Sequence, residues 1–109
     1  MAISRIIRLL VEINIILDKH HVTKWFEILS NIQNRLEEAA NNRNKKQMLL
    51  IMEEIRTLYR GMGSFNDLFI TDQAGHEIAP EDISVVNSQL QTLQKELFLA
   101  AKDEIARLA

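Results

Sequence analysis

"ISRIIRLLVEINIILDK", residues 3–19, admits three readings: a buried β-strand, a membrane-directed leader or an amphipathic helix. Its many isoleucines suit a strand, because β-branched side chains pack well on a pleated surface. Its length and the Arg8/Glu12 pair, one helical turn apart, favour helix. Ile3, Ile6, Ile7, Leu10, Ile13 and Leu17 recur at the i, i+3, i+4, i+7 spacing of one helical face, with Arg5, Arg8, Glu12 and Lys19 opposite. Leu9, Val11, Ile15 and Ile16 widen the apolar surface, which predicts a central helix over residues 2–19 with neighbours on two sides. Arg8, Glu12 and Asp18 interrupt any leader-like apolar core, and no small-residue cleavage site follows. A bilayer span needs about 20 mainly apolar residues, a run these charges forbid. The expectation is a cytoplasmic protein without a membrane partner.

Thr23 offers an N-cap for a second helix reaching Ala40, with Trp25, Ile28, Leu29, Ile32, Leu36 and Ala39 inward. Asn44 followed three places on by Gln47 imitates a capping box and opens a third helix. Its inward row is Met48, Ile51, Met52, Ile55, Leu58 and Tyr59, with Glu53, Glu54, Arg56 and Arg60 outward. From Pro80, suited to a first helical position, Ile83, Val86, Leu90, Leu93, Leu97, Ala100, Ala101, Ile105 and Leu108 keep three-four steps to the C-terminus. Such a helix of 28 residues spans about 42 Å. The expected class is all-α: one domain over residues 1–109, a four-helix, bundle-like arrangement with a Gly-rich structured loop before a long last helix.

That loop begins in "YRGMGSFNDLFI", residues 59–70. Gly61 is placed to close the third helix in the left-handed region, and Ser64 with Asp67 three places on can cap a single turn. "LFIT" and "HEIA" could also pair as a two-stranded hairpin around Gly75. The order of "GMGSF" is not that of a nucleophile elbow, and "GMGSFN" matches two glycines of a dinucleotide fingerprint without the lysine of a phosphate loop. The bland reading is a helix stop with apolar residues closing the bundle's end; the sharper one has a polar cluster facing a partner.

Composition narrows the function classes. The 109 residues are 47% hydrophobic and 26% charged, enough for one packed core. With 13 Lys and Arg against 15 Asp and Glu, net charge is −2, which lacks the cationic excess of a nucleic-acid binder. Absence of cysteine excludes disulfides, thiolate nucleophiles and Cys-based metal sites. His20 and His21 are adjacent and diverge on a helix, His76 stands alone, and all three read as surface or boundary residues. Glu37/Glu38, Glu53/Glu54 and Asp103/Glu104 read as solvated pairs on exposed faces. The expectation is no enzyme, no cofactor and no metal.

"LYRGMGSFNDLFI" (58–70), followed by Asn87 and Leu90 in the last helix, resembles an uncharacterised family of small bacterial helical proteins whose signature reads approximately "LYGGMGSFNDLVL". Arg60 stands where that family usually has glycine. Proteins of this sort are similar in size and character to immunity proteins that neutralise bacterial toxins, including contact-delivered ones. The resemblance therefore implies a cognate toxin, for instance a nuclease, as partner. Candidate contacts are Glu53, Glu54, Arg60, Ser64, Asn66, Asp67, Asp72 and His76, with Gly61 and Gly63 shaping the loop. A self-associating module, a homodimer using Phe98 and Leu99, is the alternative. An enzyme would require Ser64, Asp67 and His76 in one pocket.

Overall fold

The computed structural model describes residues 2–109, of which Ala2 is described by its backbone only. Four α-helices follow the four periodic segments: α1 (Ala2–Lys19), α2 (Thr23–Asn41), α3 (Lys45–Thr57) and α4 (Ile83–Leu108). Among the described residues there is no strand. The fold is all-α. Each helix packs on its two neighbours, α1 on α2, α2 on α3, α3 on α4, and α4 back on α1. Ile3, Ala40, Met48 and Leu108 border one cavity, so one end of the bundle gathers the start of α1, the end of α2, the start of α3 and the end of α4. Neighbouring helices are therefore antiparallel, as short turns demand. The bundle measures 43 × 23 × 21 Å.

The core is the expected set of rows. Ile6, Leu10, Ile13, Leu17, Leu29, Ile32, Leu36, Ile51, Met52 and Ile55 are essentially inaccessible to water. Each such side chain contributes roughly 1.5–3 kcal/mol on leaving water. α1 has neighbours on two sides, α2 and α4, yet Val11 and Ile15 stay 37% and 62% exposed, outside both contacts. Among the described residues, no helix is long and apolar enough to cross a membrane.

The two short turns share one device. After α1, Val22 N–H donates to Leu17 O (2.9 Å) and His21 N–H to Asp18 O (3.2 Å). After α2, Asn44 N–H donates to Ala39 O (2.8 Å) and Arg43 N–H to Ala40 O (3.1 Å). Both are Schellman closures, whose pivot must adopt positive φ. His21 (φ +56°) and Arg43 (φ +52°) serve without being glycine. Asn44 then caps α3, its Oδ1 accepting from Gln47 N (3.1 Å).

Several local expectations need correction. Val22, not Thr23, is the N-cap residue of α2, and it makes no side-chain cap bond, because the Schellman closure has already set the chain's entry at residue 22. α3 ends at Thr57, before Gly61, since Leu58, Tyr59 and Arg60 donate to carbonyls three residues back in a tightened tail. Pro80 opens a 3₁₀ turn, Pro80–Asp82, and α4 proper starts at Ile83 and has 26 residues rather than 28. Glu104 is not solvated: it is 1% exposed and ion-paired to Arg107 one turn on. His20 is not a surface residue but 6% exposed. The hairpin is absent, for reasons that belong to the excursion between α3 and α4.

Candidate functional site

α3 has 13 residues and α4 has 26, so α3 can cover only about half of the length of α4. Residues 58–82 cover part of the remainder with two further 3₁₀ turns, Phe65–Asp67 and Asp72–Ala74, joined by extended chain. An irregular segment brings backbone groups that must be satisfied once buried. Here individual polar side chains do so.

Gly61 and Gly63 have φ of +80° and +72°, and a Cβ on either would meet no atom within 4 Å. They serve the chain's direction, not a close approach. Between them Met62 is 100% exposed. The turn is tied by Phe65 N–H to Leu58 O (2.8 Å) and by Gly63 N–H to Asp67 Oδ2 (2.9 Å). Ser64, expected as the cap, makes no cap bond with its side chain and is buried; Asp67 reaches back instead.

Phe65 lies wholly buried, with ring centroids 5.0 Å from Trp25 and 5.5 Å from Tyr59, which in turn sits 5.0 Å from Phe98. This aromatic row links α2, the excursion, the tail of α3 and α4. Gln94 Nε2 donates to Phe65 O (2.8 Å), and Tyr59 Oη donates to Gln94 O (2.7 Å). Burial pushes the Tyr59 phenol above its ordinary pKa and keeps it a donor.

Asn87 replaces the missing hairpin partner. Its Oδ1 accepts from Ile70 N (2.7 Å), while Nδ2 donates to Ile70 O (2.8 Å) and Ile83 O (2.8 Å). One carboxamide thus supplies what a neighbouring strand would offer Ile70. Thr71 N–H donates to His76 Nδ1 (3.1 Å), and His76 N–H donates to Thr71 O (3.2 Å). An accepting imidazole nitrogen carries no proton, so His76 is neutral there. Desolvation, and secondarily the charge of His20, lowers its pKa. Apart from that Thr71–His76 link, "HEIA" pairs with the α1–α2 turn rather than with "LFIT": Glu77 N–H donates to His20 O (2.9 Å), and His20 Nδ1–H to Glu77 O (2.6 Å).

The residues singled out from sequence therefore divide. Ser64, Asp67 and His76 do not assemble into a reactive cluster; Ser64 is buried, and the other two hold local backbone. Glu54 is engaged by Arg35, whose Nη1 donates to Oε1 at 3.0 Å and whose Nη2 reaches Oε2. Glu53 and Asp72 are exposed. Arg60 and Asn66 come together at a groove of about 640 Å³, with Arg56, Gln91, Lys95 and Phe98 on its walls. Tyr59 borders it as well.

Sequence reasoning missed Gln94, Lys95 and the structural role of His20. Asn87, Gln94 and Glu104 interrupt an otherwise apolar three-four row, 83, 87, 90, 94, 97, 101, 104, 108, and a polar residue in step with a buried row was the available signal. Gln91, Lys95 and Phe98 share one face by the same spacing. Among the described residues, no group of three or more His, Cys, Asp or Glu could hold a metal ion.

No curated protein and no solved structure matches the chain. One family model does, described as a domain of unknown function (DUF6966), over residues 18–79. The match takes in α2, α3 and the excursion up to the residue before Pro80. Covering more than half of the chain, it shows that this protein belongs to the DUF6966 family.

Proposed function

We propose that the chain is a cytoplasmic immunity protein: a non-catalytic inhibitor that binds one cognate toxin of a contact-dependent growth inhibition or related polymorphic system and blocks its action. One observation carries this reading. Met62 is 100% exposed at the tip of a turn whose backbone is anchored on both sides, by Phe65 N–H to Leu58 O and by Gly63 N–H to Asp67. Leaving such a side chain in water forgoes roughly 1.5–3 kcal/mol that its burial would contribute. An anchored turn loses little freedom on docking, and a thioether adapts to the shape of a partner's pocket. Phe69, 50% exposed on the same excursion, supplies a second anchor. Exposed Glu53 and Asp72 are suited to steering a basic partner, such as a nuclease.

Co-expression with the product of a neighbouring toxin gene tests the proposal. The expected outcome is co-purification and restored growth, with Met62→Glu weakening the complex at least tenfold while the helical circular dichroism is unchanged. Toxicity undiminished by the wild-type chain would refute it.

Self-association is a second reading, favoured by Ile15 and Val85, 62% and 60% exposed on α1 and α4, and by Leu99 at 46%. Phe98 contributes less, since it packs on Tyr59. Light scattering that reports a monomer at high concentration removes this reading.

A further inference from the structure

The groove beside the excursion has a charge character opposite to that of the whole chain. Arg56, Arg60 and Lys95 converge on it, and no acidic side chain lines it, although the chain's net charge is −2. Among the described residues none of these three cations makes an ion pair. Arg35 and Arg107, by contrast, are each paired with a glutamate. Arg56 is further distinguished: its guanidinium carbon lies 6.0 Å from the centre of the Phe98 ring, and its Nε is buried without a hydrogen-bond partner. A buried donor left unsatisfied is costly, a penalty that an incoming acceptor relieves. The amides of Asn66 and Gln91 complete the lining, and each can both donate to and accept from a peptide backbone.

From this arrangement we infer that the groove between the α3 tail and α4 binds an extended acidic segment of a partner protein, its carboxylates taken by Arg56, Arg60 and Lys95. Guanidinium groups match carboxylates with paired, charge-assisted hydrogen bonds, and the half-apolar walls suit side chains between the acidic ones. Nucleic acid fits less well. Stacking a base needs a free aromatic face, whereas Tyr59 packs edge-on against Phe65 and Phe98, and Arg56 lies over Phe98. The inference rests on the immunity-protein reading for the partner's identity, but not for its chemistry: the exposed tip at Met62 anchors apolar surface, and the groove adds acidic specificity beside it.

The test uses the full, isotope-labelled chain and three probes. These are a blocked peptide alternating Asp and Glu with Leu, its twin with Asn and Gln in place of the acids, and a mixed-sequence single-stranded RNA. The acidic peptide is expected to shift the amide resonances of Arg56, Arg60, Lys95 and Phe98 saturably, at least tenfold more tightly than its twin, and less tightly as salt rises. Arg60→Gln with Lys95→Gln, both surface changes, should reduce that affinity at least tenfold, whereas Lys102→Gln elsewhere on α4 should leave it unchanged. Equal binding of the twin, no saturable shift, or tighter RNA binding at the same residues would each overturn the inference. The two proposals fail separately. A toxin neutralised through Met62 but indifferent to the Arg60/Lys95 double variant removes the groove proposal alone; acidic-peptide binding without any toxin neutralised removes the immunity reading alone.

Discussion

The short turns at residues 20–22 and 42–44 and the excursion at 58–82 do the same job, carrying the chain from one helix to the next, by opposite means. Each short turn is closed by two backbone hydrogen bonds within six residues, with His21 or Arg43 bearing the left-handed pivot. The excursion holds all three glycines and is fixed by Asn87, Gln94 and His20, which lie 17, 29 and 57 residues from the backbone groups they bind. Local closure needs only a compatible φ. Distant closure requires a completed bundle, because the amides on α4 meet the excursion only after α4 has docked. The first kind of connection joins helices; the second builds a surface.

Breaking the two kinds of support should give different failures. Leu36→Ala removes apolar volume from a fully buried site and should cost about 3–4 kcal/mol, lowering the urea midpoint and raising amide exchange in all four helices. Asn87→Ala strands the buried N–H and C=O of Ile70 and should cost about 3 kcal/mol. Its exchange signature should instead be concentrated in residues 68–79, with α1 and α2 still protected. If both variants loosened the molecule uniformly, the distinction between the regions would collapse.

A smaller effect contrasts the pivots. Gly61→Ala puts a Cβ at φ +80° and should destabilise by about 1–2 kcal/mol. Arg43→Gly relieves the same kind of strain at φ +52° but adds freedom to the unfolded chain, so it should leave stability within about 1 kcal/mol of wild type. Thermal melts of the two variants read this directly. A large stabilisation by Arg43→Gly would mean that the short turn is strained rather than comfortable.

The smallest effect is pH-dependent and confined to the excursion. His76 is held neutral and its folded pKa lies below the ordinary 6.5, so on acidification the unfolded chain takes up a proton first. Stability should be full above pH 6.5 and fall below it until the folded-state pKa is passed. His76→Gln, which keeps an acceptor for Thr71 N–H, should flatten that part of the profile. An unchanged slope would show that another group carries it.

Legibility in the sequence followed the same division. The rows of α1 to α4 were readable because helical burial repeats, and many residues vote for each helix. Asn44 as a cap was readable because its partner, Gln47, is three places away. Thr23 misled because the chain enters α2 at Val22, which leaves Thr23 inside the first turn rather than at the cap. The hairpin misled because "LFIT" does have extended backbone at Leu68 and Thr71, but the hydrogen-bonding partner of Ile70 is one side chain on α4. Of the candidate contacts, Arg60 and Asn66 reached the groove, while Ser64, Asp67 and His76 were taken up by the loop's own architecture, which local spacing did not reveal.

The brevity of α3 has one more implication. A few added helical turns would have covered α4 with ordinary hydrocarbon, and the molecule would have gained regularity and lost only its irregular patch. With the covering delegated to a segment pinned at a few points, Met62, Asn66 and Phe69 are free to vary without disturbing the rods beneath. The side chains offered to solvent there can therefore change on a frame that stays the same.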